Sequence, residues 1–534
     1  MFDVSATTST SAAPLLSETI ASYFLLVTVV LLVTRVWLTQ ATQRRVKSSK
    51  NDAKPLPGPW GIPVLGNMLS IGQKAPHISL MKMAEKFGNI FQIRLGSRPV
   101  LVLNGYEAIR KALVKQPTVF AGRPDLLTFD MIRSRYSPGC GSLSFSTYSE
   151  NWKLHRKLAE SSLRHFTACG QVKFVERVVS TEAGELAKHI SDAVNNNSGD
   201  GSTDKAQNMR LAIRLAVGNI ICWFMFNKRQ SYDDKVLLKL LDISNRFTEA
   251  TGSGNPVDFL PWMKVFVTKS TNNFQELLKE FNGFVRNMIT KHHEQYEDGS
   301  ERDIIDHLVS SGRRHDKSEM TRVGLTEEQL LETALDYYGA GFETVSTTLE
   351  WTFLYMAAHP EIQAEVHREI DAVVGQNRTP TLDDRAKLPF TQACITEVMR
   401  HATVVPFSIP HSTTEDTVLD GFYVPKDTVV FVNLHSAHHD ETIWSEPEIF
   451  KPRRFITADG GLDLDKKNRV IPFSVGRRRC IGSDLARLEL FLFFSIFMQK
   501  FSVESTRPEG VTMESVYGLA RRAKHLDVKL VPRS

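Results

Sequence analysis

The sequence predicts a mainly α-helical body with small β-sheets, carried behind one N-terminal transmembrane helix. Three observations carry that prediction. An apolar stretch near the start is followed at once by a basic run. Most of the chain beyond it repeats its apolar residues with a helical period. Strand-like runs are few and short.

Thr19 to Leu38 reads TIASYFLLVTVVLLVTRVWL, close to the ~20 residues a helix needs to cross hydrocarbon. Its one charge, Arg35, lies near the end, where a long side chain reaches the headgroups. Arg44, Arg45, Lys47, Lys50 and Lys54 follow, whereas residues 1–18 hold no Lys or Arg. The positive-inside tendency then puts residues 1–18 in the lumen as a short tail. Residues 19–38 become a signal anchor, 39–66 a basic and Pro-rich linker, and 67–534 a body facing the cytoplasm. A cleaved signal would carry its basic residues before the apolar run, not after it. Pro55-Leu-Pro-Gly-Pro-Trp-Gly-Ile-Pro63 admits neither helix nor central strand and reads as a stiff spacer.

Within the body, Ile90–Leu95 and Val100–Leu103 read as two strands around Gly96-Ser97-Arg98-Pro99, and Thr428–Asn433 as another. The polar stretches Asn195–Asp204 and Asp298–Arg322 read as surface loops. The 534 residues contain 42% hydrophobic and 23% charged residues, which excludes wholesale disorder. A net charge of +5 is too small for this length to suggest nucleic-acid binding. Five cysteines without C-x-x-C spacing indicate neither a disulfide framework nor a zinc site.

One of those cysteines sits in a special context, Phe473-Ser-Val-Gly-Arg-Arg-Arg-Cys480-Ile-Gly482. Gly476 permits a tight turn beneath a flat cofactor, and Gly482 keeps a side chain away from it. A helix-like run to about Met498 follows, so the sulfur would face free N–H groups and a positive dipole end. The three upstream arginines would add positive potential. A structural buried cysteine is the usual alternative for a lone Cys, and this surrounding pattern disfavours it.

A second pattern runs from Thr326 to His359, a helix with a capping box at Thr326 and Gln329 and a stop at Pro360. It contains Gly339-Ala-Gly-Phe-Glu-Thr344. Two helix-interior glycines cost ~1 kcal/mol each relative to alanine, so close approach of a ligand to the backbone is expected to offset them. Thr344 then offers a hydroxyl and Glu343 a carboxylate for proton transfer; a kinked packing helix is the alternative. A third pattern pairs Glu397 and Arg400, three apart on one helix face, with Arg454 in Pro-Arg-Arg-Phe. Trp152 and Arg156 likewise share a face, and His411 and Arg478 stand near the other motifs.

The spacing F-x-x-G-x-x-x-C-x-G resembles the haem-binding loop of the cytochrome P450 superfamily. The resemblance extends from Pro55 to about Glu504. It is closest to the animal family 1 cytochromes P450, the aryl hydrocarbon hydroxylases, in Arg123–Phe129, Gly252–Phe259, Gly339–Val345 and Val405–Thr413. It implies the helix-rich triangular prism of that fold, with haem b bound through Cys480. Phe473, Gly476 and Gly482 would shape the cofactor loop. Trp152, Arg156, His411 and Arg478 would face the haem propionates, and Glu397, Arg400 and Arg454 would form a structural triad. Phe129, Phe247 and Ala340 match positions of a flat, aromatic-lined substrate pocket; filling core is their alternative role.

The implied function is a haem-thiolate monooxygenase of the endoplasmic reticulum membrane. Its lipophilic substrates would be planar aromatics, with steroids or fatty acids as alternatives. Electrons would come from NADPH through a separate reductase, with cytochrome b5 as a possible helper, because the chain has no strand–GxGxxG–helix fingerprint of its own. Arg477 and Arg479 are candidate reductase contacts. A steroid 17-hydroxylase-like enzyme, a reductase-independent haem-thiolate isomerase and a haem sensor or carrier are the rival readings. The intact Glu343-Thr344 pair argues against the isomerase, and the groove glycines with Thr344 argue against the sensor or carrier.

Overall fold

A computed structural model describes residues 53–533 apart from 73, 134–140, 168–170, 197–203, 253–254, 298 and 300, together with Val27. The expected lumenal tail, the anchor over 19–38 and most of the basic linker lie outside the described residues, as does the middle of Asn195–Asp204.

Helices dominate. The first part of the chain forms α1 (Met68–Ile71), α2 (Pro76–Phe87), α3 (Tyr106–Leu113), α4 (Leu127–Arg133), α5 (Glu150–Thr167), α6 (Val172–Asn196), α7 (Asp204–Phe226), α8 (Lys235–Gly252) and α9 (Thr268–His293). The remainder forms α10 (Ile304–Arg314), α11 (Lys317–Val323), α12 (Glu327–Ala358), α13 (Pro360–Val373), α14 (Pro389–Ala402), α15 (Leu434–His438), α16 (Leu464–Arg469) and α17 (Ser483–Lys500).

The main sheet joins β1 (Ile90–Leu95), β2 (Arg98–Leu103), β3 (His411–Ser412) and β6 (Val429–Val432) in the order β1-β2-β6-β3. β1 and β2 form an antiparallel hairpin in which Ile90 faces Leu103, and β2 runs parallel to β6. Both are apolar and β-branched, as strands buried on a core require. β2 begins at Arg98, two residues earlier than expected, because Pro99 pairs opposite Arg94 near the hairpin end. Two-stranded pieces complete the set: β4 (Thr417–Leu419) with β5 (Phe422–Val424), β7 (Phe501–Ser505) with β10 (Val528–Pro532), and β8 (Ser515–Val516) with β9 (Arg522–Ala523). The proline segment forms neither helix nor strand. It lies against the body, where the Pro57 carbonyl accepts from the Gln92 N–H at 2.8 Å.

α12 is the central helix and packs against α7, α10, α14 and α17. It is buried nearly all round, so its helical pattern shows no polar face. Thr326 caps it, its hydroxyl accepting from the Gln329 N–H at 3.1 Å, and His359 ends it. Phe342, Leu349, Trp351 and Phe353 interlock with Phe491, Phe493, Phe494 and Phe497 of α17 in one core. Met209–Phe226 is apolar enough to cross a membrane, but 78% of it is buried among other helices, so it serves as core.

One expectation is corrected. Much of Asp298–Arg322 is helical, in α10 and α11, not loop. The Asp303 carboxylate caps α10, accepting from the Ile305 and Asp306 N–H groups, and Asp316 caps α11. Ile304, Ile305, Leu308 and Val309 are buried, which supplies the apolar face that the surrounding charges obscured.

Candidate active site

The cysteine loop connects α16 to α17. Gly476 has a φ of +79°, and a Cβ there would overlap the Leu113 carbonyl oxygen, so only glycine fits. The Cys480 N–H donates to the Phe473 carbonyl at 2.9 Å and closes the loop. A Cβ on Gly482 would meet only the Cys480 Sγ, at 4.0 Å, leaving open space beside the sulfur. Cys480 is the one cysteine among the described residues that is exposed; Cys222 and Cys394 are buried. The residue is nevertheless surrounded closely enough for burial to act on its thiol.

Burial pushes the Cys480 thiol up from its ordinary range, against the pull of the Gly482 N–H and of Arg156 and Arg487. The arginine run supplies less than its proximity in sequence suggested. Arg478 turns away, its Nε donating to the Ala121 carbonyl and its Nη2 to the Ser146 carbonyl, both at 2.8 Å. Arg477 and Arg479 are exposed. Arg487, missed in the sequence, lies over the Phe473 ring at 4.7 Å.

A recess rich in buried cations lies near the loop. The Arg478 guanidinium stacks on Trp152 at 3.9 Å from the ring centroid. Arg156 lies 5.4 Å from the same ring, pairs with Glu160 at 2.6 Å and donates to the Arg479 carbonyl at 2.7 Å. The Trp152 N–H, expected to face a haem propionate, is instead committed to the Leu143 carbonyl at 2.8 Å. The His411 Nδ1–H donates to the Phe120 carbonyl at 2.7 Å, and burial holds its imidazole well below the usual range.

Arg123 joins this group and was missed as a site residue. It donates to Ser144, Ile409 and Pro410 carbonyls, and burial, with Arg156 nearby, lowers it to about 9. Arg478 is held far below the ordinary arginine range by burial and by Arg123 and Arg156, and its Nη1 has no hydrogen-bond partner. Uncompensated buried guanidinium groups call for anions. The two propionates of haem supply that chemistry, so these residues fit the cofactor.

On α12, Gly339 and Ala340 are exposed and Thr344 is partly so, in a helix otherwise buried. The two glycines differ in purpose. A Cβ on Gly341 would come within 2.7 Å of the Ile221 Cδ1, so Gly341 allows α7 to pack closely. A Cβ on Gly339 would meet nothing, which fits an opening beside the helix. The Thr344 hydroxyl donates to the Ala340 carbonyl at 2.7 Å without kinking the helix. Glu343 is buried between Arg214 at 2.9 Å and Arg522 at 2.6 Å, and it accepts from the Thr347 hydroxyl at 3.3 Å.

The aromatic positions form pairs. Phe129 of α4 meets Phe145 edge-on at 5.0 Å, and Phe247 of α8 meets Phe274 of α9 at 5.9 Å. Phe145, Phe247 and Phe274 belong to one cluster with Met131 and Ile132. Phe145 and Phe274 carried no sequence signal, because only the fold brings them to Phe129 and Phe247.

Glu397 and Arg400 are fully buried and joined by two hydrogen bonds, of 2.7 and 2.9 Å. Arg454 Nε donates to the same carboxylate at 3.1 Å, as does the Lys451 N–H at 2.8 Å. Arg400 and Arg454 also donate to the carbonyls of His438, Ser445, Glu446 and Ile449, tying α14 to the segment before the cysteine loop.

A helix-rich fold, an exposed cysteine in a glycine-formed loop and a group of buried cations fit a protein that holds haem. Residues 56–530 match the family model of cytochrome P450. The chain is 38% identical over 506 residues to cytochrome P450 1A1 of Canis lupus familiaris, covering 93% of each chain. It is 38% identical over 522 residues to that of Homo sapiens, covering 96% of this chain and 98% of the relative. With that of Rattus norvegicus it shares 37% over 506 residues, covering 92% and 93%. The chain belongs to the cytochrome P450 family and is a monooxygenase; the family uses haem b, with O2 and electrons from NADPH delivered by a reductase.

Proposed function

We propose that this monooxygenase takes its electrons from NADPH–cytochrome P450 reductase and hydroxylates or epoxidises lipophilic, planar aromatic molecules at the endoplasmic reticulum membrane. The observation that carries the substrate class is the pairing of Phe129 with Phe145 and of Phe247 with Phe274. Flat rings gain from stacking on such faces, by ~1 kcal/mol per pair beyond area burial. The likeness to cytochrome P450 1A1 relatives supports the same class.

When bound, haem supplies oxygen activation, which thiolate ligation favours. The chain supplies the rest. Cys480 holds the iron, with Phe473, Gly476 and Gly482 shaping the loop around its sulfur. Arg123, Arg156, Arg478 and His411 orient the propionates, and Trp152 serves as the platform for Arg478. Ala340 gives a flat substrate room beside α12. Thr344 moves a proton at Oγ1 once its hydroxyl turns from the Ala340 carbonyl toward the opening. Glu343 helps to relay protons from solvent toward Thr344, its carboxylate held in place by Arg214 and Arg522. Glu397, Arg400 and Arg454 keep the loop in place and perform no chemistry.

Arg477 and Arg479 are exposed cations next to the cysteine and suit an acidic reductase surface, with cytochrome b5 a second candidate for the same face. The anchor over 19–38 has support from the body. Trp60, Ile62, Val64 and Leu69 are exposed, as are Trp262, Val265 and Phe266. The two segments meet at Gly96, whose N–H donates to the Leu65 carbonyl while Phe259 and Leu260 lie against it. An apolar surface of this kind suits a bilayer.

The test is turnover of planar polycyclic, alkoxyresorufin and steroid substrates by the full chain with added reductase and NADPH. Oxidation of the planar substrates above the steroids is expected. Preference for steroids, or equal turnover with peroxide and no reductase, would contradict the reading.

A further inference from the structure

A cleft of about 320 Å³ lies between α14, α16, α17 and the first part of the cysteine loop. Met399, Val470, Ile471 and Pro472 supply an apolar wall, and Lys467 and Arg487 supply charge. It adjoins the candidate active site through Phe473 of the cysteine loop, but Cys480, Arg478, His411, Ala340 and Thr344 do not line it.

Its charges are unbalanced. Lys467 has no carboxylate within ion-pair distance among the described residues. Burial, with Arg385 and Arg487 nearby, lowers its amine to about 8. Arg385 has a buried Nε without a hydrogen-bond acceptor. The carboxylate nearest Arg487 is Asp484, at 3.7 Å, and its side chain is 69% exposed. Two cations over an apolar wall, Lys467 and Arg487, each repelled by the nearby Arg385, select a ligand that is negative at one end and apolar at the other. The volume is at the small end of ligand sites, which run from roughly 300 to 1,000 Å³.

We propose that this cleft binds a small amphiphilic anion, an apolar ring or short chain ending in a carboxylate or phosphate. Lys467 and Arg487 hold the anionic end, and Met399 and Pro472 hold the apolar end. Binding there reaches the sulfur indirectly. Arg487 is one of the two cations that favour the Cys480 thiolate, and it lies on Phe473, whose carbonyl holds the Cys480 N–H. An anion on Arg487 removes positive potential from the loop and so lowers the reduction potential of the bound iron.

The experiment uses the full-length haem-loaded protein, with an azole on the iron to close the active site. Calorimetric titration with 2-naphthoate, 2-naphthyl phosphate and neutral 2-naphthamide gives the affinities, in the native chain and in Lys467→Glu. Saturable binding of at least one anion is expected, weakened at least tenfold in Lys467→Glu, with little binding of the amide. Without the azole, the reduction potential should fall on adding the bound anion in the native chain and stay fixed in the variant. Lys467→Gln, with a helical spectrum matched to the native chain, controls for misfolding and should give an intermediate affinity. Equal binding by native chain and variant, equal binding of the amide, or no saturable binding would overturn the proposal. So would loss of reductase affinity in Lys467→Glu with naphthoate binding intact, which would assign the cleft to an acidic side chain of a protein partner.

Discussion

Arg478 stacks its guanidinium on the indole of Trp152 at 3.9 Å while Arg123 and Arg156 crowd it and no carboxylate among the described residues pairs with it. The aromatic face and two backbone carbonyls hold the cation in place. They do not neutralise it.

This predicts opposite effects of Arg478→Leu in the two forms of the protein. Without haem, the substitution removes an unpaired buried charge and raises the melting temperature. With haem, it leaves a propionate short of a charged donor, a loss on the order of 1.5–3 kcal/mol. The melting temperature of that form falls, and haem is lost faster. Calorimetry of both forms checks this; a change of the same sign in both would show that Arg478 does not face the cofactor.

Arg400→Lys keeps the charge and loses the fork that binds Glu397 twice. Losing one of the two hydrogen bonds to a carboxylate at zero exposure should cost ~1.5–3 kcal/mol, a sizeable part of a typical stability of about 5–15 kcal/mol. The expected result is little soluble haem-loaded protein, measured as Soret absorbance per milligram. Normal yield would contradict the structural role.

The glycines give a graded series. Gly476→Ala places a Cβ on a backbone carbonyl at a φ of +79° and should abolish the loop and haem binding. Gly341→Ala meets only the end of Ile221 and should cost far less. Gly339→Ala has free space, so it should raise stability by up to ~1 kcal/mol through helix propensity. It should also weaken spectral binding of planar ligands, because its methyl enters the opening. Melting curves and ligand titrations separate the three.

A pH effect is expected from His292. Burial lowers its affinity for a proton, but Asp303 at 2.8 Å and Asp306 at 3.0 Å outweigh that and raise its pKa to about 9. A raised pKa means that the stabilisation is complete below the unfolded value of 6.5 and is lost as pH rises through about 9. The melting temperature should therefore fall between about pH 6.5 and 9, and His292→Gln should flatten that slope. An unchanged slope in the variant would place the titration elsewhere.

Local geometry was legible where a short segment fixes it. The cysteine loop depends on Gly476 turning a few residues before Cys480, so spacing alone reveals it. The helix expected from Thr326 to His359 runs from Glu327 to Ala358 between those two caps because the cap is local. Contacts distant in sequence were not legible. Arg123 reaches Arg478 only through the fold, and Glu343 is paired by Arg214, 129 residues earlier. Gly341 was read as making room for a ligand, but its room is taken by Ile221 of α7. The helix α10 was hidden because charges around residue 302 and residues 313–316 masked a buried face only four residues apart, Ile304 to Leu308.

The most direct test of the account is the spectrum of the reduced full-length protein under carbon monoxide, with Cys480→His beside it. A sulfur ligand predicts a Soret band shifted far to the red in the native chain. In Cys480→His the band should return to the position of a nitrogen-ligated haem. A native band that is not red-shifted, or a red shift that survives the substitution, would show that Cys480 does not hold the iron.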